Sequence, residues 1–387
     1  MENKKVFTKG CLCGIAFIIA LNLLITSVDK AYRRVVSKNL TIEQKMEEIE
    51  RIVRRYSVNE FPEYVNEGLY KGMVSTLNDR YSYYMSKKEF EEFLQETDGN
   101  YVGIGIMISM AEGVMKISKI FDGSPAKDEG ILPDDIIIKV DEEEVTLENY
   151  DAIVSKIKGE EGTKVKLTIY RENDGKEYEY NVLRKSIEVP TVEYKMLEDK
   201  IGYIAISQFD RVTFDQFKEA FDKLNSENAE GLIIDLRNNP GGLLTTVCKI
   251  TDLFVPEGTI TYIEDKYGKK QYEYSDANFY NKPLVILVNE SSASASEVLS
   301  GAVKDYKVGE LVGETTFGKG VVQNIYTLSD GSGIKVTIAK YYTPNGICID
   351  GTGIEPDYPV ENNPNSDVDL QLEKGIEVIK AKLGNNN

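Results

Sequence analysis

The chain has 387 residues, with 64 Asp and Glu against 46 Lys and Arg, a net charge of −18. That balance disfavours a nucleic-acid partner, because phosphate binding needs a basic face. There is no histidine at all, which excludes Ser-His-Asp triads, Cys-His pairs and histidine-ligated metals together, so any serine nucleophile here needs another proton acceptor.

Behind Lys4 and Lys5, residues 10–28 carry no charge. As a helix this stretch is about 28 Å long at about 1.5 Å per residue, close to the apolar thickness of a bilayer. It is longer than the apolar region of a usual signal peptide, and no A-x-A cleavage site follows. The expectation is an uncleaved transmembrane anchor at 10–28 with a cytoplasmic tail at 1–9. Lys4, Lys5 and Lys9 on one side and Lys30, Arg33, Arg34 and Lys38 on the other leave its orientation undecided by charge.

Residues 29–98 read as an N-terminal helical region. Thr41-Ile42-Glu43-Gln44 has the form of a capping box, and Ile42, Met46, Ile49, Val53 and Tyr56 follow as one apolar stripe. Ser86-Lys87-Lys88-Glu89 repeats the box ahead of Phe90, Phe93 and Leu94. Such an arm packs on its own body or joins copies of the chain into a homo-oligomer, and the pattern fits both.

Residues 99–187 change character. Strand patterns at 102–109, 114–120, 136–140, 164–170 and 177–183 surround one helix at 146–158, whose Tyr150, Ile153, Val154 and Ile157 share a face. This stretch resembles a PDZ domain, through Gly103-Ile104-Gly105-Ile106, Gly123-Ser124-Pro125-Ala126 and Leu132-Pro133-Asp134-Asp135-Ile136. The resemblance implies that Gly103, Ile104, Gly105 and Ile106 bind peptide. Backbone N–H groups of such a loop hold a terminal carboxylate while the peptide adds as a strand. Two positions depart from the pattern: Asp134-Asp135 replaces the usual Gly-Asp, and Asp141-Glu142-Glu143-Glu144 fills a turn where a glycine is expected.

From residue 188 onward strands at 201–207, 231–236 and 284–288 alternate with helices at 213–225, 243–254 and 295–306, the mark of an α/β layered core. Loops after its strands are where a site is built. One such loop is Asp235-Leu236-Arg237-Asn238-Asn239-Pro240-Gly241-Gly242, whose paired glycines let backbone approach a ligand. The other delivers Ser292-Ala293-Ser294-Ala295-Ser296-Glu297 to a helix N-terminus, where free N–H groups favour a developing oxyanion. Taken singly, each of these serines reads first as a helix cap. Cys11 and Cys13 fall in the anchor; Cys248 reads as a core residue, and whether it pairs with Cys348 is open.

Those two loops are followed by Gly318-Lys319-Gly320-Val321-Val322-Gln323, Tyr342-Thr343-Pro344-Asn345-Gly346 and Gly353-Ile354-Glu355-Pro356-Asp357. The set, in that order, closely resembles the carboxyl-terminal processing proteases of the tail-specific type. The resemblance implies a multidomain α/β protein: transmembrane helix, helical arm, PDZ-like β-rich module, and a crotonase-like protease core at 188–387. It also implies Ser294 as nucleophile, Lys319 as base and Gln323 as the group orienting it. The oxyanion donors would be the N–H groups of Ala295 and Gly241, with Gly242 the alternative to Gly241. A lysine serves as base only if burial lowers its pKa, and Phe317, Val321 and Val322 are its apolar neighbours in sequence.

The activity so implied is that of a single-pass membrane-anchored serine endopeptidase, working through an acyl-enzyme on protein substrates recognised by their C-termini. It lies on the extracytoplasmic side of the cell membrane and requires no metal or organic cofactor. The competing reading is a catalytically silent or substrate-gated PDZ scaffold of the same fold. A penicillin-recognising acyltransferase has an S-x-x-K spacing, which occurs at Ser27 to Lys30 on the anchor, where no such site could form.

Overall fold

The computed structural model describes residues 23–28, 30, 40–60, 65–111, 113–362 and 368–385. Of the expected anchor at 10–28, only residues 23–28 are among them, and these are helical and exposed; the rest lies outside the described residues. Among the described residues no helix is long and apolar enough to cross a membrane. The chain divides into two units, residues 1–69 and 70–387.

In the first unit, α1 (Ile42–Tyr56) opens with the expected box: the Gln44 N–H donates to Thr41 Oγ1 at 3.3 Å and the Thr41 N–H to Gln44 Oε1 at 3.2 Å. Its apolar stripe is uncovered, with Ile42 78% and Tyr56 70% exposed. The next helix, α2 (Val65–Ser75), runs across the boundary between the units.

The remainder of the arm is not purely helical. Tyr83–Met85 is a strand, β1, and it pairs antiparallel with Gly333–Tyr342 of the C-terminal region. Tyr84 and Met85 are buried there, and the next helix, α3 (Lys87–Asp98), seats Phe90 against Gly333, where any side chain would collide with the ring. Burial of these three side chains is what draws this part of the arm onto its own body.

The PDZ-like module follows. Its strands are β2 (Asn100–Gly103), β3 (Ile106–Ala111), β4 (Val114–Ile120), β5 (Ile136–Val140), β6 (Glu143–Glu144), β7 (Lys164–Arg171), β8 (Lys176–Leu183) and β9 (Lys185–Glu188), with helices α4 (Pro125–Asp128) and α5 (Tyr150–Ile157). The main sheet runs β3-β4-β5-β7-β8, which leaves β3 as an edge, while β2 pairs with β9. The strand expected at 102–109 breaks at Gly105, whose φ of 81° is left-handed and whose Cβ would strike Ser124. The missing glycines are replaced without loss of geometry. Asp134 adopts φ 71°, and the two-residue β5–β6 turn, Asp141 and Glu142, adopts φ 47° and 68°, as a type I′ hairpin requires. A non-glycine residue held there costs about 1–2 kcal/mol.

In the C-terminal region a six-stranded sheet runs β10 (Val192–Met196), β11 (Ile201–Ile206), β12 (Gly231–Asp235), β15 (Leu284–Val288), β16 (Glu310–Gly313), β19 (Tyr358–Pro359), parallel from β11 onward. Its central strands are apolar without alternation because both faces are covered. Ile204, Ile234 and Ile286 face α6 (Thr213–Ser226), α7 (Leu244–Asp252) and α8 (Ala295–Tyr306). Ile201, Ile233, Val285 and Leu287 face Val378 and Ile379 of α9 (Leu370–Asn385). A second sheet joins β1 to β18 (Gly333–Tyr342), β13 (Gly258–Asp265) and β14 (Lys270–Ser275), with β17 (Val321–Thr327) also on β18. Cys248 is buried in the core and both it and Cys348 are free thiols; burial pushes the Cys248 thiol up to about 12.

Candidate active site

Strand β15 ends at Val288 and a tight loop returns the chain into α8, with Ser294 at the N-cap. The neighbouring hydroxyls are occupied in building that loop. Ser292 Oγ donates to the Leu236 carbonyl at 2.8 Å and Ser296 Oγ to the Asn239 carbonyl at 3.0 Å, so both tie it to the Asp235–Gly242 turn. Ser294 is held at φ 55° and ψ −110°, a conformation that non-glycine residues avoid and that costs about 1–3 kcal/mol. The Glu297 N–H, three residues on, donates to the Ser294 carbonyl at 2.9 Å.

The Pro240-Gly241-Gly242 turn lies directly against this serine. A Cβ on Gly241 would come within 2.8 Å of Ser294 Cβ and 2.9 Å of the Ala295 nitrogen, so only glycine fits. Among the described residues the Ala295 N–H has no acceptor. The Gly241 N–H instead donates to Asn239 Oδ1 at 2.8 Å, while the Gly242 N–H, again among the described residues, has no acceptor.

Lys319 arrives on the loop between β16 and β17. The glycines around it permit close backbone packing: a Cβ on Gly318 would be 2.8 Å from the Gly353 nitrogen, and one on Gly320 would be 2.7 Å from Asp350 Cα. Lys319 is half-buried. Burial is the main cause holding its amine below the ordinary lysine value of 10.5; the charges of Lys335 and Arg80 push the same way, and Glu297 and Asp79 oppose them. Lys335, in β18, is itself lowered by burial. The Lys319 amine rests 4.6 Å from the centroid of the Tyr81 ring, and among the described residues it makes no hydrogen bond to Ser294.

Glu297 connects the two. Its carboxylate is fully buried and accepts from the Ser294 N–H at 2.8 Å, the Lys319 N–H at 2.9 Å, the Gly318 N–H at 2.7 Å and Thr316 Oγ1 at 2.6 Å. The backbone N–H groups of Ser294 and Lys319 are thus both fixed to one oxygen, Oε2, of this side chain. Sequence reasoning gave Glu297 no role, although a serine followed three residues later by a glutamate is the signature of a side chain reaching back to an N-cap. Arg80, Tyr81 and Lys335 were also missed, because nothing in the spacing brings them to Lys319.

Gln323, in β17, donates from Nε2 to Thr337 Oγ1 at 3.3 Å, and the Thr337 N–H donates to Ser82 Oγ at 2.9 Å. Ser294, Ala295, Gly241, Gly242, Lys319 and Gln323 all line one cavity of 330 Å³, with Lys335, Phe93 and Thr97 on its walls. The Gly103 to Ile106 loop lies apart, at a second cavity of 420 Å³ lined by Ile104, Ile106, Phe121, Val154 and Ile157. Gln208 and Asp210 line both cavities. The arrangement suits acyl transfer by an activated serine.

Comparison with known proteins follows the same division. The model of peptidase family S41 matches residues 200–360, and that of the PDZ domain matches residues 102–182. The carboxy-terminal processing protease CtpB of Bacillus subtilis is 37% identical over 89% of this chain and 74% of its own length. A Staphylococcus aureus protein bearing a CtpA-like serine protease name is 34% identical over 89% of this chain and 71% of its own. A solved structure from Bacteroides fragilis assigned to the S41 proteases covers 86% of this chain and 97% of its own with a TM-score of 0.52; at 15% identity that likeness concerns the fold.

Proposed function

Because the chain belongs to the carboxyl-terminal processing protease family of serine-type peptidases, we propose that it is an endopeptidase that holds the C-terminal region of a protein in the PDZ-like groove and cuts with a Ser294/Lys319 dyad. The observation that carries this reading is the convergence of Ser294, a lysine with a lowered pKa, Gln323 and unpaired backbone N–H groups in one cavity. The neutral Lys319 amine takes the Ser294 Oγ proton as Oγ attacks the scissile carbonyl. The oxyanion accepts from the Ala295 N–H and from the glycine turn, through Gly242 or through Gly241 once Asn239 releases it. The lysine ammonium then gives its proton to the leaving amine, leaving an ester on Ser294. Water, deprotonated by Lys319, attacks that ester, and the acid product departs with the serine proton restored.

The edge position of β3 supports strand addition by a peptide, and Gln208 and Asp210, which line both cavities, put the groove beside the serine cavity. The lysine amine resting on Tyr81 favours a substrate-gated form of this reading, in which the dyad closes when substrate is held. Residues 10–28 act as a single-pass anchor that places the protease outside the cytoplasm, a reading supported by their charge-free composition. Two experiments test these statements. Ser294→Ala and Lys319→Ala should each abolish cleavage of a C-terminally derived peptide, and activity surviving either removes the dyad. Full chain that alkaline carbonate strips from membranes would remove the anchor.

A further inference from the structure

Resting on that reading of the groove, we propose that the Tyr101 hydroxyl is a third donor to the terminal carboxylate of the bound polypeptide, beside the N–H groups of Gly105 and Ile106. Tyr101 and Lys158 stand on the wall of the cavity whose apolar lining is Ile104, Ile106, Phe121, Val154 and Ile157. The phenol reaches into the loop because residue 103 is glycine: a Cβ there would lie 2.6 Å from a Tyr101 ring carbon. Its oxygen is buried and, among the described residues, has no hydrogen-bond partner. The Gly105 and Ile106 N–H groups face that oxygen without reaching bonding geometry.

The two N–H groups therefore turn toward the phenol oxygen beside an apolar cavity, and among the described residues no acceptor takes the phenol proton. Buried hydroxyls are rarely left without a partner, so the arrangement calls for an incoming acceptor. Burial is the main influence on the phenol and pushes its pKa up to about 12, against the pull of the two backbone N–H groups. It stays a donor over the physiological range. The Lys158 amine, 5.9 Å from the Tyr101 ring centroid, adds positive charge nearby. The ligand that answers these features has a free C-terminal carboxylate and an apolar last side chain to enter the cavity. A C-terminal amide lacks the charge that strengthens each of these bonds.

The test uses the full chain in detergent carrying Ser294→Ala, which binds without turnover, and a short fluorescently labelled peptide ending in valine, as the free acid and as the amide. Adding Tyr101→Phe should weaken the acid on the order of ten- to a hundredfold, the range for a hydrogen bond to a charged group, and leave the amide unchanged. Equal or tighter binding of the acid by the Phe variant overturns the proposal and makes Tyr101 a filler of the loop. If the parent protein itself does not prefer acid to amide, the carboxylate reading of the groove fails instead. Should Tyr101→Phe melt below the assay temperature, 3-fluorotyrosine at position 101, a stronger donor of nearly the same shape, should tighten the acid alone; no change overturns the proposal.

Discussion

Replacing Glu297 by glutamine removes the strut between nucleophile and base while preserving shape. The carboxylate receives the Ser294 and Lys319 N–H groups and, at 3.4 Å, the Tyr341 hydroxyl on Oε2, and Thr316 Oγ1 and the Gly318 N–H on Oε1. Glutamine retains one acceptor oxygen and sets an amide NH₂ against the two donors that met the other. Losing two charge-assisted bonds and leaving their donors unpaired costs on the order of 3–5 kcal/mol, after allowing for non-additivity. For a body of about 300 residues that corresponds to a fall of about 5–8 °C in Tm. The effect on turnover should be greater than the stability loss conveys, since a displacement of about 1 Å between reacting groups costs on the order of a hundredfold. The assay is thermal denaturation together with kcat and KM on a peptide substrate, with kcat taking the loss. A variant that melts like the parent and turns over within threefold of it would refute the reasoning.

The Lys319 shift has a consequence for stability. Its folded pKa lies below the unfolded value of 10.5, so the charged form is disfavoured in the fold, and that cost is present below the folded pKa and relieved as pH rises through it. Lys319→Met should therefore be inactive by at least about 10⁴-fold yet raise Tm at pH 7, with the gain shrinking toward pH 10.5 in a melting series. Lys335→Met removes a cation that depresses Lys319, so the ascending limb of the pH–rate profile should move to higher pH and activity at neutral pH should fall. An unmoved limb contradicts the electrostatic role. Glu142→Gly relieves a left-handed glutamate at the loss of an exposed ion pair with Lys166, and should stabilise by about 0.5–1 kcal/mol in denaturant melts without altering kcat.

Elements whose apolar period agrees with their surroundings were legible residue by residue. Strands Val114–Ile120, Ile136–Val140 and Leu284–Val288 and helix Ala295–Tyr306 fall where the pattern puts them. Strands β13, β14, β17 and β18 were not, because their faces are half-exposed and rich in tyrosine, threonine and lysine, which carries little periodicity. Tyr83–Met85 was hidden inside a helical run because its partner is more than two hundred residues away. At the site, Ser294, Lys319 and Gln323, singled out by the family resemblance, line one cavity. The sequence pattern missed what tunes the lysine, since Tyr81, Arg80 and Lys335 reach it only through the fold. The family resemblance picked Ser294 from the run of serines, and the coordinates add that the Ser292 and Ser296 hydroxyls are bonded into the loop.

The central claim is that a lysine neutralised by its surroundings activates Ser294. It is tested most directly by the rate at which a fluorophosphonate acylates the full-chain enzyme as a function of pH. The rate should rise with pH through a single ionisation below the ordinary lysine value of 10.5 and be lost in Lys319→Ala. Labelling of Lys319→Ala at the parental rate, or a parental profile with no such limb, would contradict it.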